Sequence, residues 1–276
     1  MDISSAKQWA LLDIAAERVI DALQCAGVQV VVLKGFALVG TTYQAAERPM
    51  QDVDLLVDDP ERAMQILREQ GAEPVPAQDR PLAPSTRSAW GWISREGAHI
   101  DLHRAVGAPL RWRPDVPGIF ERATKHKVGE ITTYRPCNED LILTIALDLA
   151  KDDFCGKPKA ATDLQRIVAR LDVDWQIVIQ RSDQWRCKIA LWCALQWADI
   201  MYPDEVQTAL RPSLLRRTLL QRSVLSSPRD ESPRLERQLR AGLVLSDDSW
   251  RFVAAGARFI VLRSADWMLV TMKSSK

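Results

Sequence analysis

The chain has 276 residues, of which 47% are hydrophobic and 26% are charged, with 12 glycines and 15 prolines. A chain of this length can bury roughly three quarters of its surface on folding, so the composition excludes a disordered, collagen-like or low-complexity protein and predicts one large or two small domains. Lys and Arg total 37 against 36 Asp and Glu, so the net charge of +1 supplies no overall field to attract nucleic acid or an anionic membrane.

The first predicted elements alternate between helix and strand. Apolar residues recur every three or four positions from Trp9 to Ala26, which predicts an amphipathic helix that ends at Gly27. The segment Val28 to Leu33 is β-branched and too short for a helix, so we expect a buried strand there. A glycine turn and a short helix over residues 36–44 follow.

A second strand, a helix and a hairpin come next. The segment Val53 to Val57 is typical of a buried strand. Asp59-Pro60 is a favourable helix start, because Asp can cap the helix and Pro is tolerated in its first turn. The segments Ala89 to Arg95 and Ala98 to His103 predict a hairpin that turns at Arg95-Glu96-Gly97.

Near residue 136 the sequence pattern changes from mixed strand and helix to helix alone. Lys127 to Tyr134 is the last segment with strand character, and every later periodic segment is helical, most clearly Arg186 to Met201. We therefore predict an α+β protein with two domains. Residues 1–136 form an α/β domain with a short mixed sheet, and residues 137–276 form an all-α helical bundle.

Two carboxylates share one face of the second strand. Residues i and i+2 of a strand point to the same side, so Asp52 and Asp54 lie about 7 Å apart at the backbone. Like charges beside the apolar run Leu55 to Val57 repel each other and resist desolvation unless a cation binds between them. Oxygen ligands of this kind favour Mg²⁺ or Mn²⁺. A pair of exposed strand-end carboxylates is the alternative interpretation.

Other residues near this pair favour phosphate chemistry. Lys34-Gly35 lies between a strand and a helix, where backbone N–H groups can face an anion. Arg48 adds a planar cation suited to phosphate oxygens. The alternating segment His99 to His103 places Asp101 on one face with a histidine on either side. Three carboxylates on adjacent strands, a glycine turn and cations predict a phosphoryl-transfer centre.

Structural explanations exist for several of these residues. Lys34 can simply extend into solvent from a strand end, and Arg48 can pair with Glu47 or Asp52. A hydrolase-type metal site formed by the His99 to His103 segment is a further alternative. Histidines in such positions are more often polar residues on a solvated face or groups that orient metal ligands.

Tryptophans near the predicted site also have two interpretations. The side chains in question, which are candidates for flanking a base or an acceptor, are Trp90, Trp92 and Trp112. Packing in the core is the commoner role of tryptophan.

The sequence also resembles a known family. The segments LKGFAL, ERPMQDVDLLV and HIDLHRAV are similar to those of the uncharacterised nucleotidyltransferase family of the polymerase-β-like superfamily. The segments ATDLQRIV and LDVDWQIVIQ extend the similarity over residues 9–205. The resemblance implies that the metal and catalytic carboxylates are Asp52, Asp54 and Asp101, that Gly35 belongs to the nucleotide-binding turn, and that Lys34 and Arg48 occupy basic positions of that pattern.

The resemblance further implies a reaction. A nucleoside monophosphate would pass from a nucleoside triphosphate to a hydroxyl, phosphate or amine of a small molecule or peptide, by two-metal catalysis with Mg²⁺ or Mn²⁺. Alternatives are the same chemistry on tRNA or a protein target, as in a toxin, and a catalytically silent protein-binding module. The near-neutral charge disfavours a nucleic-acid partner without excluding one. The superfamily turn carries Gly-Gly or Gly-Ser, whereas here Phe36 follows Gly35, so a hydroxyl toward the phosphates is missing.

The cysteines and the N-terminus predict a cytoplasmic protein without a membrane segment. The five cysteines are odd in number and form no C-x-x-C pair, which argues against a disulfide framework and a four-thiolate zinc site. No basic segment followed by an apolar run begins the sequence, and the longest apolar run, residues 28–39, is interrupted by Lys34.

Overall fold

The structure, a computed structural model, describes residues 3–76, 88–108, 111–154, 158–225 and 244–248. The helices are Ile3–Cys25 (α1), Lys34–Leu38 (α2), Pro60–Glu69 (α3), Val116–Glu121 (α4), Asn138–Lys151 (α5), Pro158–Arg170 (α6), Trp175–Gln184 (α7), Lys188–Trp197 (α8), Asp204–Leu210 (α9) and Leu214–Leu220 (α10), followed by a π-helical turn at Gln221–Leu225. The strands are Val30–Val32 (β1), Asp52–Val57 (β2), Glu73–Pro74 (β3), Ala89–Ile93 (β4), His99–His103 (β5), Thr124–Val128 (β6) and Ile131–Arg135 (β7).

The seven strands found within the described residues form one mixed sheet in the order β3-β4-β5-β2-β1-β7-β6. Strand β2 lies at the centre, paired parallel with β5 and antiparallel with β1. Strands β4 and β5 form the predicted antiparallel hairpin. The strands that carry the predicted carboxylates are therefore neighbours in the middle of the sheet.

The spacing of apolar residues explains how α1 packs against the sheet and why β1 is buried. The α1 residues Leu12, Val19 and Leu23 are buried at helical spacing against the sheet, and β1 consists of three buried valines. Helix α3 begins as predicted, because the Asp59 carboxylate accepts a hydrogen bond from the Arg62 backbone N–H at 2.9 Å and Pro60 occupies the first turn.

The described chain beyond residue 136 is helical, which confirms the predicted α+β class. Helix α5 is buried over most of its length and packs against α6, α7 and α8, with α2 touching it from the sheet side. The division into domains of 1–136 and 137–276 stays a prediction. Within the described residues, no helix has both the length and the apolar character needed to cross a bilayer.

One strand prediction is wrong. The segment Lys127 to Tyr134, expected to be a single strand, contains the turn of the hairpin β6–β7. The chain reverses at Gly129, whose φ of +54° lies in the left-handed region that glycine enters without steric cost. An alternation that continues on both sides of a tight turn does not reveal the turn by itself.

Candidate active site

The three predicted carboxylates lie on the same face of the sheet. In the parallel register of β2 and β5, Asp54 is directly opposite Asp101, and Asp52 is opposite His99. Because alternate residues of a strand share a face, His103 projects from that face too. The register therefore places Asp54 and Asp101 side by side, with Asp52 two positions along β2 on the same face, and the catalytic role of the three carboxylates stays a prediction.

Asp54 forms the buried centre of this arrangement. Its side chain is 3% exposed, and its Oδ1 lies 2.8 Å from Nε2 of His103. Asp54, Asp101 and His103 each offer one ligand atom, and these atoms lie within 4.8 Å of one another. Two carboxylates and an imidazole this close form a donor set that fits a divalent cation. The role of Asp52, one strand position further along, as a metal ligand stays a prediction.

Lys34 faces the carboxylates rather than solvent. Its Nζ is 2.5 Å from Oδ1 of Asp54 and 3.7 Å from Oδ1 of Asp148 in α5. The Lys34 backbone has a φ of 47°, a left-handed conformation that costs a non-glycine residue about 1–2 kcal/mol. The chain therefore accepts a strained backbone where the ammonium joins the sheet to the helical half.

Burial and neighbouring opposite charges shift the pKa values of Asp54 and Lys34 in opposite directions. Burial alone would raise the pKa of Asp54, but the Lys34 ammonium and the hydrogen bond from His103 hold that pKa well below its usual range. Burial alone would lower the pKa of Lys34, but the carboxylates of Asp54 and Asp148 hold it above its usual value. Burial, and then the Asp54 charge, raise the pKa of Asp52. The site therefore carries excess negative charge that suits a cation.

Gly35 provides close packing in the turn after β1. A Cβ at this position would lie 2.5 Å from Nη1 of Arg48 and closer still to Sδ of Met50. The backbone carbonyl of Phe36, the next residue, lies 2.8 Å from Nε2 of His126 in β6. The turn is thus packed against Arg48 and Met50 at Gly35 and contacts His126 at Phe36.

Arg48 is held by the helical half. Its Nε and Nη2 donate to the two carboxylate oxygens of Asp163 in α6 at 2.9 and 2.7 Å, and the Tyr43 hydroxyl donates to the same carboxylate at 2.8 Å. Asp163 is 2% exposed. The pairing partners expected for Arg48 were Glu47 and Asp52, but Glu47 pairs with Arg166 of α6 instead. The role of Arg48 as a nucleotide ligand stays a prediction.

Sequence reasoning missed several residues around the site. The sequence interpretation does not include Asp148, it contains Tyr43 and Asp163 only as parts of the family-like segments without a role, and it considers His103 only in the alternative hydrolase-type metal site. One signal was available for Asp163, because in α6 it follows Ala160 by three positions and precedes Ile167 by four, both of them buried. A carboxylate on the apolar stripe of a helix needs a partner, so this position indicates a buried ion pair.

The tryptophans near the site are mostly part of the core. Trp92 and Trp112 are each 1% exposed. Core packing, the alternative given for them, explains both. Trp90 is half-buried, and its role beside a ligand stays a prediction.

A family model described as "Uncharacterised nucleotidyltransferase" matches residues 4–203, which is most of the chain. The chain belongs to this nucleotidyltransferase family. The resemblance in the sequence is therefore confirmed, and the protein is a nucleotidyltransferase.

Two solved structures resemble this nucleotidyltransferase. The lincosamide antibiotic adenylyltransferase LnuA, bound to lincomycin, is 14% identical with a TM-score of 0.38, and the match covers 55% of this chain and 93% of LnuA. MenT4, a nucleotidyltransferase toxin from Mycobacterium tuberculosis H37Rv, is 16% identical with a TM-score of 0.44, and the match covers 94% of each chain. No match was found among the curated proteins.

Proposed function

We propose that this nucleotidyltransferase transfers a nucleoside monophosphate from a nucleoside triphosphate to a hydroxyl, phosphate or amine of a small molecule or peptide. Divalent metal, Mg²⁺ or Mn²⁺, would be held by Asp52, Asp54 and Asp101 and used in two-metal catalysis. The proposal places the reaction in the cytoplasm, and the described cysteines, which form no disulfides, agree with a reducing compartment.

The convergence of Asp54 and Asp101 on one face of the sheet carries this proposal. The two residues are paired across neighbouring central strands, and Asp52 stands on the same face. Three carboxylates held on a rigid sheet have little freedom to move apart, so their charges stay close in the absence of a ligand. A bound cation lowers this repulsion, which makes the face suited to a triphosphate that arrives with its own metal.

The residues around the carboxylates would bind and orient the substrate. Gly35 belongs to the turn between β1 and α2, and we propose that the backbone N–H groups of this turn donate to phosphate oxygens. The Lys34 ammonium would neutralise charge on the phosphates. The metal, when bound, supplies electrostatic stabilisation of the reacting phosphate and activation of the acceptor. The acceptor attacks the α-phosphorus, the bond from that phosphorus to the β-phosphate bridging oxygen breaks, and pyrophosphate leaves.

The fate of labels on the α- and γ-phosphates tests whether this reaction occurs. Purified protein is incubated with cell extract, Mg²⁺ and each of the four nucleoside triphosphates, labelled in parallel at the α- or the γ-phosphate. We expect the α-label to enter an acceptor and the γ-label to be released as pyrophosphate. Mass spectrometry of the labelled product then shows whether the acceptor is a small molecule, a peptide, a protein or tRNA.

Variants at the carboxylates provide the control. Asp52→Asn and Asp101→Asn are expected to lose at least 100-fold in transfer rate, because each removes a charge that the metal requires. Asp58→Asn at the end of β2 carries the same substitution on an exposed residue and should retain activity. Transfer of the γ-label that depends on the added protein, or full activity of Asp101→Asn, would reject the proposal. A complete absence of heat on titration with nucleotide and Mg²⁺ would instead favour a silent binding module.

A further inference from the structure

We propose that His103 is a direct ligand of the divalent metal, together with Asp54 and Asp101, and that its nitrogen shifts the site from Mg²⁺ toward Mn²⁺. The inference rests on the proposed function, because it concerns the same site. It adds a ligand that the three-carboxylate assignment does not contain, and it predicts which ion the site prefers.

The position of His103 supports this role. It lies two residues after Asp101 on β5, projects from the same face and is 6% exposed. Its Nε2 points at Oδ1 of Asp54 from 2.8 Å. Two ligands that each lie about 2.1 Å from one ion, at a right angle to each other, are about 3 Å apart. The 2.8 Å between the two atoms, a hydrogen bond in the metal-free protein, is close to that separation, so a metal could bind both atoms once the Nε2 proton has left. The ligand atom of Asp101 lies within 4.8 Å of both.

A cation already occupies part of this position. The Lys34 ammonium binds the same Oδ1 of Asp54 that faces His103. The same oxygen therefore already accepts a positive group beside the imidazole. Asp148 lies 3.7 Å from the same ammonium and offers it a second carboxylate when a metal ion takes its place at Asp54. The structure thus holds both a donor set and a cation that can exchange with the metal.

His99 is a poorer candidate. It stands on the other side of Asp101, its side chain is 43% exposed, and its Nδ1 is 3.9 Å from Asp101 Oδ1. It does not belong to the group of ligand atoms that lie close together. The two histidines share a strand and a face but differ in burial and in contact with Asp54, so His99 is the matched control for His103.

The choice of ion follows from ligand chemistry. Mg²⁺ strongly prefers oxygen ligands and tolerates little departure from octahedral geometry, whereas first-row transition ions accept imidazole readily. A site with one nitrogen among its ligands therefore gains affinity for Mn²⁺ relative to Mg²⁺. Loss of that nitrogen is expected to weaken Mn²⁺ binding by roughly tenfold or more and to change Mg²⁺ binding much less.

Electron spin-echo envelope modulation of bound Mn²⁺ tests the ligand directly, using the whole protein without nucleotide. We expect modulation from ¹⁴N in the wild-type protein, and replacement of it by the ¹⁵N pattern when all three histidines are ¹⁵N-labelled. His103→Gln should lose the modulation, and His99→Gln should keep it. Because isotope labelling needs no substitution, the test holds even if His103→Gln fails to fold.

The outcomes distinguish failure of the His103 ligand assignment from failure of the proposed nucleotide transfer. Bound Mn²⁺ without histidine modulation, or modulation lost in His99→Gln and kept in His103→Gln, overturns the role of His103 while nucleotide transfer can still occur. Failure to bind Mn²⁺ overturns the inference as well. Histidine modulation in a protein that transfers no label from any triphosphate supports the metal site and rejects the proposed reaction.

Discussion

Arg48 and Asp163 are 115 residues apart in the sequence, yet the guanidinium of one donates two hydrogen bonds to the carboxylate of the other. The pair joins the loop before β2 to helix α6, beside the glycine turn. Both charges are largely withdrawn from water, with side-chain exposures of 13% and 3%. Bidentate geometry and the added hydrogen bond from Tyr43 offset the cost of removing them from solvent.

Substitution of Asp163 by Asn is expected to reduce the free energy of unfolding by about 3–5 kcal/mol, because the Arg48 charge loses its partner in a buried position. Urea denaturation measures this loss. Tyr43→Phe keeps the ion pair and removes one hydrogen bond to a charged group, so it should cost about 1.5–3 kcal/mol. Equal losses for the two variants would mean that the ion pair contributes little beyond its hydrogen bonds.

Lys34→Met is expected to change the response to metal. Without the ammonium, the buried Asp54 carboxylate keeps only the His103 contact, so the metal-free protein should lose roughly 3 kcal/mol of stability. Added Mg²⁺ or Mn²⁺ should then raise the melting temperature by more than it does in the wild-type protein. Thermal denaturation with metal and with EDTA measures both effects. Lys125→Met, on an exposed position of β6, is the control, and an equal metal response in both variants would contradict the prediction.

Gly35→Ala is expected to disturb the turn by overpacking. The new methyl group would collide with Met50 and with the guanidinium of Arg48, which Asp163 holds in place. We expect a loss of about 1–3 kcal/mol in unfolding free energy, together with weaker nucleotide binding.

The double variant with Met50→Ala isolates the collision at Gly35. Removal of the Met50 side chain opens space for the methyl group, so Gly35→Ala should cost less in that background, by about 0.5–3 kcal/mol. If the losses in unfolding free energy of the two substitutions are strictly additive, the cost of Gly35→Ala does not come from a collision with Met50.

His126 gives the stability a defined dependence on pH. Burial lowers the pKa of His126 below its ordinary value of 6.5. The unfolded chain therefore binds the proton more tightly than the folded protein, and stability decreases as the pH falls below about 6.5. In His126→Gln, whose side-chain amide can still donate to the Phe36 carbonyl, this contribution should disappear.

Denaturation series between about pH 5.5 and 7.5 measure the contribution of His126. His99→Gln is the control, because that residue lies partly exposed at the start of β5. A pH slope that persists unchanged in His126→Gln would assign the effect to another group.

Local patterns predicted the central features of the site. The i, i+2 spacing placed Asp52 and Asp54 on one face, and the alternation in β5 placed Asp101 on one face of its strand. Both placements depend only on the period of a strand, which the sequence displays directly. The predicted phosphoryl-transfer centre assumes that the two strands are adjacent, but no local signal specifies the parallel register that sets Asp54 opposite Asp101.

The remaining features of the site depend on contacts between distant parts of the chain. Asp148 and Asp163 reach the site only because α5 packs against α2 and α6 packs against α5, and periodicity does not indicate which elements become neighbours. The alternation in β5 gives no reason to prefer His103 over His99, because both histidines share one face of the strand with Asp101. Burial beside Asp54 distinguishes the two histidines, and burial is a property of the assembled fold.

The central position of β2 in the sheet affects the order in which the strands unfold. Three strands lie on either side of it, so fraying at β3 or β6 leaves the strand that carries Asp52 and Asp54 fully paired. Backbone amides in such a strand exchange with deuterium only when the molecule opens as a whole. Heating or mild denaturant should therefore unfold the edge strands first, and the proposed metal-binding carboxylates of β2 should be among the last residues to lose their strand pairing.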